Sequence, residues 1–375
     1  MKILVSVLVF DEGKSGVADY TISVCRELSK EHKLDVLIHP SDAGIFPVNN
    51  ENISFRYVAD YLKKPLLSMF WHLYILPVVL SAKRYDLIML PAGNRRLIVY
   101  YPAQTVVTFH DLAQYHIPDK YDKLRMFYVK HIIPYYLRKA PIIMAISENT
   151  KNDLIRYYNL PSSKIEVNYN GYSPEKLQTN VSEAELRQRF KLCKPYFFYN
   201  SRIEHPIKNH IHLIRAFEIL PDEIRDQYDL VFTGVDANGS DVVYDYLKQS
   251  PVRHSVKFLG FMDNQYLAAL YKYACLYVFP SLYEGFGIPL LEAMASGVPV
   301  ICSNRSSLPE IGGDAVLTFE PEMHADIASK IMEVMNSEQL RVQMINRGLA
   351  RVRHFSWKRH TDKILDLVSK RFLKL

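Results

Sequence analysis

Short apolar runs, each followed by a helical pattern, recur along almost the whole chain, and this alternation confines it to an α/β architecture. Strands are expected in the first half over residues 3–10, 34–39, 53–58, 86–90, 105–109, 142–146 and 165–167. Amphipathic helices are expected between several of them, over 17–29, 121–138 and 148–157. The pattern restarts at Pro195, with strands expected over 196–199, 230–233, 256–259, 276–279 and 298–302. The runs are almost wholly apolar rather than alternating, as strands covered on both faces must be. Two doubly wound parallel sheets with a cleft between them follow. In such sheets ligands bind beyond the carboxyl ends of the strands, so the loops that directly follow strands are where function should be sought.

A length of 375 residues suits two domains better than one core. The stretch between Asn170 and Arg187 is polar, carries Gly171 and Pro174, lacks a strand pattern and reads as the interdomain linker. The expected division is therefore 1–175, 176–355 and a terminal segment 356–375 holding a last helix from Trp357 to Leu373. A net charge of +6 is a mild excess that does not call for nucleic acid and suits an anionic substrate or a membrane surface equally. Cys25, Cys193, Cys275 and Cys302 form no C-x-x-C pair and read as reduced thiols of a cytoplasmic protein. The first apolar run is eight residues long with no small-residue cleavage site, so it reads as a strand and not a signal peptide. The run Pro65–Leu80 holds His72 and Pro77, and its sixteen residues are short for a membrane crossing, so a buried helix is expected. Residues 120–141 interleave basic and aromatic side chains, which suits a packed helix whose other face contacts lipid.

Five loops carry chemistry. SLYEGFGIPLLEAMASGVP (281–299) sets Glu284 and Glu292 eight residues apart, Glu284 on a strand-to-helix loop and Glu292 in the helix. Gly285 and Gly287 let a ligand approach the backbone, and the helix start offers N–H groups to an anion. A carboxylate repels phosphate, so the glutamates suit the hydroxyls of a sugar borne by a phosphate. SRIEHPIKN (201–209) follows another strand and carries Arg202 and Lys208, a forked and a compact cation suited to a diphosphate. His110 and Asp111 end the strand TVVTF. His110 can bond a sugar hydroxyl or a phosphate or carry a proton, or the pair can simply tie down the loop. Gly13, Lys14, Ser15 and Gly16 precede a helix but match neither a P-loop nor a dinucleotide fingerprint. Gly234 and Val235, after DLVFT, suit a planar base contacted by backbone groups, or form a plain turn. No HExxH and no Cys/His cluster supports zinc.

With these segments in hand, the chain resembles the retaining glycosyltransferases of family 4. The resemblance rests on E-x7-E from Glu284 to Glu292, R-x5-K from Arg202 to Lys208, His110 in FHD and Gly16 in the first loop. MAISENTKNDL (144–154) and SSLPEIGGDAVL (306–317) add to it. It implies the GT-B fold, two Rossmann-like domains facing a central cleft, with the acceptor in the first domain, a nucleotide sugar in the second, and the C-terminal helix of 356–375 crossing back to the first domain. It assigns Glu292 to the ribose, and Glu284 with Gly285, Phe286 and Gly287 to the donor sugar. Arg202 and Lys208 fall to the diphosphate, with Gly16 facing it and His110 reaching the transferred sugar. Gly234 and Val235 complete the donor-binding set. No cofactor or metal is expected, since the two cations supply the charge at the phosphate and no D-x-D motif occupies the relevant loops. NRSSLPEIGGDA resembles the mannosyltransferase branch, which makes GDP-mannose the first donor and leaves UDP-glucose, UDP-galactose and UDP-N-acetylhexosamines open. The acceptor is expected to be a saccharide or a lipid-linked oligosaccharide in surface-polysaccharide or lipopolysaccharide synthesis. The enzyme is expected in the cytoplasm with a peripheral contact at the inner membrane face. A nucleotide-sugar epimerase is the rival enzyme, and a silent GT-B subunit would be expected to have lost some of these residues.

Overall fold

The apolar runs become thirteen strands among the described residues, every one paired in parallel with its neighbours. The computed structural model describes the chain apart from residues 14, 49, 83, 118–121 and 373–375. Lys14 of the glycine loop, Lys120 and Tyr121 of the basic aromatic stretch, and Leu373 therefore lie outside the described residues. The chain forms two compact units: Met1–Gly171 with Ser356–Leu375, and Tyr172–Phe355.

The first unit holds β1 (Lys2–Ser6), β2 (Lys33–Ile38), β3 (Ile53–Tyr57), β4 (Leu87–Leu90), β5 (Thr105–Phe109), β6 (Ile142–Ala145) and β7 (Ile165–Val167). Their order across the sheet is β3-β2-β1-β4-β5-β6-β7. The second unit holds β8 (Tyr196–Asn200), β9 (Asp229–Thr233), β10 (Val256–Phe258), β11 (Leu276–Phe279), β12 (Val300–Ser303) and β13 (Val316–Phe319). These run β10-β9-β8-β11-β12-β13. In each sheet the order reverses once, between β1 and β4 and between β8 and β11. The loops that leave those strands diverge to opposite faces and open a crevice at the carboxyl edge. The central strands are sealed: Ile3, Val5, Leu87, Ile88 and Met89 are fully buried in the first unit, and Phe197, Phe198, Tyr277 and Val278 in the second.

Helix Gly16–Leu28 starts where the Ser15 side chain accepts from Ala18 N, and it buries Val17, Tyr20, Val24 and Leu28. Helix Trp357–Phe372 shares that core through Trp357, Ile364 and Val368. His360 fastens it: Nδ1 donates to Tyr169 O at 2.9 Å, so Nε2 accepts from the Tyr20 hydroxyl at 2.9 Å.

Three expectations are corrected. The division falls at Gly171–Tyr172, inside the polar stretch read as the linker but ahead of the expected boundary at 175–176, and a helix already begins at Glu183. β13 went unrecognised, its run being short and preceded by Gly312, Gly313 and Asp314. Residues 65–81 do form a helix, as Pro65–Phe70, a π turn Trp71–Ile75 and Leu76–Ser81, but it is not buried all round. Leu66, Phe70 and Val78 are 62, 57 and 60 % exposed. Pro77 has no N–H to give the Leu73 carbonyl, which instead accepts from Val99 N at 3.0 Å. Residues 123–137 repeat the arrangement, with a π turn Tyr128–Ile132 ahead of Pro134. No helix among the described residues is long and apolar enough to cross a membrane.

Candidate functional site

In the second unit, the loops after β8 and β11 meet at the point where strand order reverses. They are stitched together by Leu282 N to Ile207 O at 2.9 Å and by Asn209 Nδ2 to Pro280 O at 3.0 Å. Tyr199, on β8, donates to Lys208 O at 3.0 Å and shares a 2.9 Å hydrogen bond with Ser281 Oγ. Burial, and then the Glu284 carboxylate, push its phenol far above the ordinary range, so it stays a donor. The backbone that carries Lys208 is thus anchored before any ligand arrives.

Lys208 Nζ donates to Glu284 Oε1 at 2.6 Å, and both side chains are about 15 % exposed. A charge-assisted bond in such a setting contributes on the order of 1.5–3 kcal/mol. The cation expected to hold phosphate and the carboxylate expected to hold hydroxyls therefore neutralise each other here. Arg202 is not brought onto Lys208. It reaches back to Glu204, with Nη2 2.7 Å from Oε2, an ion pair whose angles fall short of a hydrogen bond. Arg202 remains 59 % exposed, so this pair is weak and its guanidinium is available to an anion.

The backbone around Glu284 is shaped by two serines that open the segment SSLPEIGGDAVL and had no role expected of them. Glu284 N donates to Ser306 Oγ at 2.9 Å, while Ser307 Oγ donates to Glu284 O at 3.0 Å and to Phe286 O at 2.9 Å. Their signal was present as a serine pair directly after β12, at the carboxyl edge where functional loops lie. Gly287 takes φ +101° as the N-cap of helix Ile288–Ala295, and a Cβ there would lie 2.8 Å from Leu308. Phe286 is buried beside Phe355. Gly285 continues the same turn.

Glu292 lies in the second turn of that helix and is oriented by a chain of polar groups. Tyr271 donates to Glu292 Oε2 at 3.0 Å, Asn200 Nδ2 donates to the Tyr271 oxygen at 3.2 Å, and Thr233 Oγ1 donates to Asn200 Oδ1 at 3.0 Å. Full burial keeps the Tyr271 phenol protonated, which makes it a fixed donor. Gly234 answers to a requirement inside the protein. At φ +135°, its Cβ position lies 1.9 Å from the Ser201 carbonyl oxygen, so only glycine lets the loops after β8 and β9 approach. Val235 follows with a 46 % exposed side chain and a carbonyl that accepts from Ile203 N.

The remaining two candidates belong to the first unit. His110 follows β5 and is 7 % exposed. Its Nε2 donates to Pro91 O at 2.6 Å, and burial holds its pKa down at about 4. Burial therefore favours the neutral ring, with Nδ1 as an acceptor. Asp111 does tie down the loop, accepting from Ala113 N at 3.2 Å. Gly16 is the exposed first residue of its helix, and a Cβ there would meet nothing within 4 Å. Among the described residues no internal contact explains that glycine. Among the described residues no group of three His, Cys, Asp or Glu is placed to hold a metal ion.

Two families match the sequence, together over most of its length: Glycosyltransferase Family 4 over residues 14–176 and Glycosyl transferases group 1 over residues 182–351. O-antigen chain mannosyltransferase B of Escherichia coli is 32 % identical over 265 residues, 70 % of this chain and 69 % of that protein. O-antigen chain mannosyltransferase RfbU of Salmonella typhimurium is 24 % identical over 343 residues, 88 % of this chain and 89 % of that protein. Among solved structures, Anabaena Alr3699/HepE in complex with UDP-glucose aligns with TM-score 0.75 over 99 % of this chain and 100 % of that one, at 19 % identity. At that identity the likeness concerns the fold, which is GT-B.

Proposed function

The chain belongs to glycosyltransferase family 4, and we propose that it moves mannose from GDP-mannose to a saccharide or lipid-linked oligosaccharide acceptor in surface-polysaccharide synthesis. The observation that carries the site is the Lys208–Glu284 ion pair at the strand-order reversal, with Arg202 on the same loop after β8. The choice of mannose draws on the two O-antigen mannosyltransferases. A UDP-sugar is the second reading, favoured by the fold neighbour that holds UDP-glucose.

In this reading the donor diphosphate replaces a carboxylate at each cation. Lys208 passes from Glu284 to a phosphate oxygen, and Arg202 from Glu204 to another. Each cation keeps an anionic partner, and the Glu284 carboxylate is released to accept from hydroxyls of the sugar. As the anomeric C–O bond breaks, negative charge grows on the leaving diphosphate where the two cations already stand. The acceptor oxygen bonds to the anomeric carbon on the face the phosphate leaves, its proton passes to a phosphate oxygen, and configuration is retained. Glu292, steadied by Tyr271, takes the ribose hydroxyls. Gly285, Phe286 and Gly287 offer backbone groups to the sugar, and Gly234 with Val235 borders the base. In the first unit, His110 keeps Nδ1 as an acceptor suited to a sugar hydroxyl. No metal takes part, because the cations supply the charge, and the reaction belongs to the cytoplasmic side of the membrane.

A thermal-shift series separates the donors, since a ligand at one hundred times its Kd adds about 2.7 kcal/mol to stability. GDP and GDP-mannose should raise Tm, UDP and UDP-glucose should not, and mannosyl transfer should persist in EDTA. A shift with UDP and none with GDP overturns mannose in favour of the second reading.

A further inference from the structure

The first unit has a reversal of its own, between β1 and β4, and the loop after β4 brings Arg96 to it. Arg96 is largely buried yet keeps part of its surface open to solvent. Its Nε donates to Ser68 Oγ at 2.9 Å and its Nη1 to Arg95 O at 2.9 Å. Among the described residues no carboxylate pairs with it, and the acid nearby, Asp11, is taken by Arg95 at 2.7 Å. Burial first, with the Arg95 and Arg125 charges, presses its pKa down to about 10, and the Tyr128 phenol and the Asp11 carboxylate act the other way. Tyr128 is 6 % exposed, and its hydroxyl lies near the Leu97 amide without making a well-formed hydrogen bond. A cation held away from water without an anion is costly, as is a buried hydroxyl without a partner. One anion with several acceptor oxygens would satisfy both.

The two helices that enclose Arg96 carry a second signal. Ser68 lies on helix 65–81 and Tyr128 on helix 123–137, and burial first, then the Tyr74 phenol of the first helix, raises the pKa of Tyr136 on the second. On their outer faces Leu66, Phe70, Tyr74 and Val78 recur every four residues, joined by Leu124 and Phe127, all between 45 and 62 % exposed. Neither 61–82 nor 123–140 contains an acidic residue, while Lys64, Lys123 and Lys130 are exposed. Apolar faces edged by cations suit an amphiphile with an anionic head.

We propose that Arg96 binds the phosphate or diphosphate through which a lipid carries the acceptor, while the lipid chain lies on the outer apolar faces of helices 65–81 and 123–137. The site is bipartite: Arg96 and Tyr128 take the head, and Leu66, Phe70 and their neighbours take the chain. The proposal rests on the acceptor side of the function proposed above and narrows it to a lipid-borne phosphate ester. It does not depend on which nucleotide the donor carries.

Binding to the full-length protein is measured with farnesyl diphosphate, farnesol and inorganic pyrophosphate, and GDP binding is followed on the same samples. Farnesyl diphosphate should bind at least about tenfold tighter than either fragment, and pyrophosphate should compete with it. Arg96→Gln should weaken farnesyl diphosphate about tenfold and leave GDP unchanged, whereas Phe70→Ser should weaken farnesyl diphosphate and not pyrophosphate. Equal binding of farnesol and farnesyl diphosphate overturns the proposal, as does wild-type affinity in a folded Arg96→Gln. If Arg96→Gln does not fold, the wild-type comparison and Tyr128→Phe decide. Displacement of farnesyl diphosphate by phosphatidylglycerol vesicles, as readily as by pyrophosphate, would assign the site to bilayer phospholipid and also overturn it. Loss of GDP binding alone would count against the donor reading and leave this one standing.

Discussion

Arg202 and Lys208 are both cations at one crevice, but they differ in what their removal leaves behind. Arg202 is 59 % exposed and paired only with Glu204, so Arg202→Ala should leave stability within about 0.5 kcal/mol of the parent. Lys208→Ala strands the Glu284 carboxylate, only 16 % exposed, without its counterion, so Tm should fall as well. Both should cost about 10²–10³ in kcat, the loss seen when one preorganised group at a developing charge is deleted. Parallel kinetics and thermal unfolding check this, and near-normal turnover in either variant would sink the assignment. At this scale residue types and spacings were legible: Arg202, Lys208, Glu284 and Glu292 stand on loops or helix turns at strand ends, as their positions after apolar runs implied. The pairing was not. That Lys208 would choose Glu284, 76 residues away, depends on how two loops meet, and no local pattern encodes that. Nor could spacing show that Nε2 of His110 would be spent on Pro91, which settles the tautomer.

Elements were read best where burial on both faces made the strand a pure apolar run, as at β4, β5 and β11, whose ranges fall within a residue of expectation. They were read worst where tertiary contacts repair a local defect. Pro77 and Pro134 mark places where a continuous helix should break, yet π turns carry the chain through, and for Pro77 a donor from another loop replaces the missing hydrogen bond. Composition also implied a buried helix for 65–80, because an apolar run does not say whether its outer face will be covered. Gly234 is the opposite case, a residue read as a ligand contact that is also a structural necessity. Gly234→Ala would place a methyl 1.9 Å from the Ser201 carbonyl and force an L residue to φ +135°. It should destabilise the protein by more than about 2 kcal/mol and, by pushing the loop after β8, weaken GDP binding without touching the ligand. Thermal unfolding with and without GDP reads both effects, and a variant with unaltered Tm would show that the two loops are not held this close.

For the whole molecule, the restart of the strand pattern at Pro195 announced two sheets, and the count of apolar runs came close to the number of strands. The return of the last helix to the first unit was expected from the resemblance and not from any local pattern. Ser356–Leu375 belongs with Met1–Gly171, so the first unit is built from two separated pieces and the second, Tyr172–Phe355, from one. The terminal helix contributes Trp357, Ile364 and Val368 to the first core and the His360 acceptor to Tyr20. Each such apolar side chain is worth about 1.5–3 kcal/mol when buried, so three of them compare with the whole net stability of a domain, about 5–15 kcal/mol. Losing them also leaves the Tyr20 hydroxyl short of a partner in a sealed core. A chain ending at Phe355 should therefore lose hydrogen-exchange protection throughout β1–β7 while β8–β13 keep theirs, because the second unit is the single piece Tyr172–Phe355. Peptide-resolved exchange on the shortened and full chains makes the comparison. Native-like protection of Gly16–Leu28 in the shortened chain would mean that the first unit does not need its second piece.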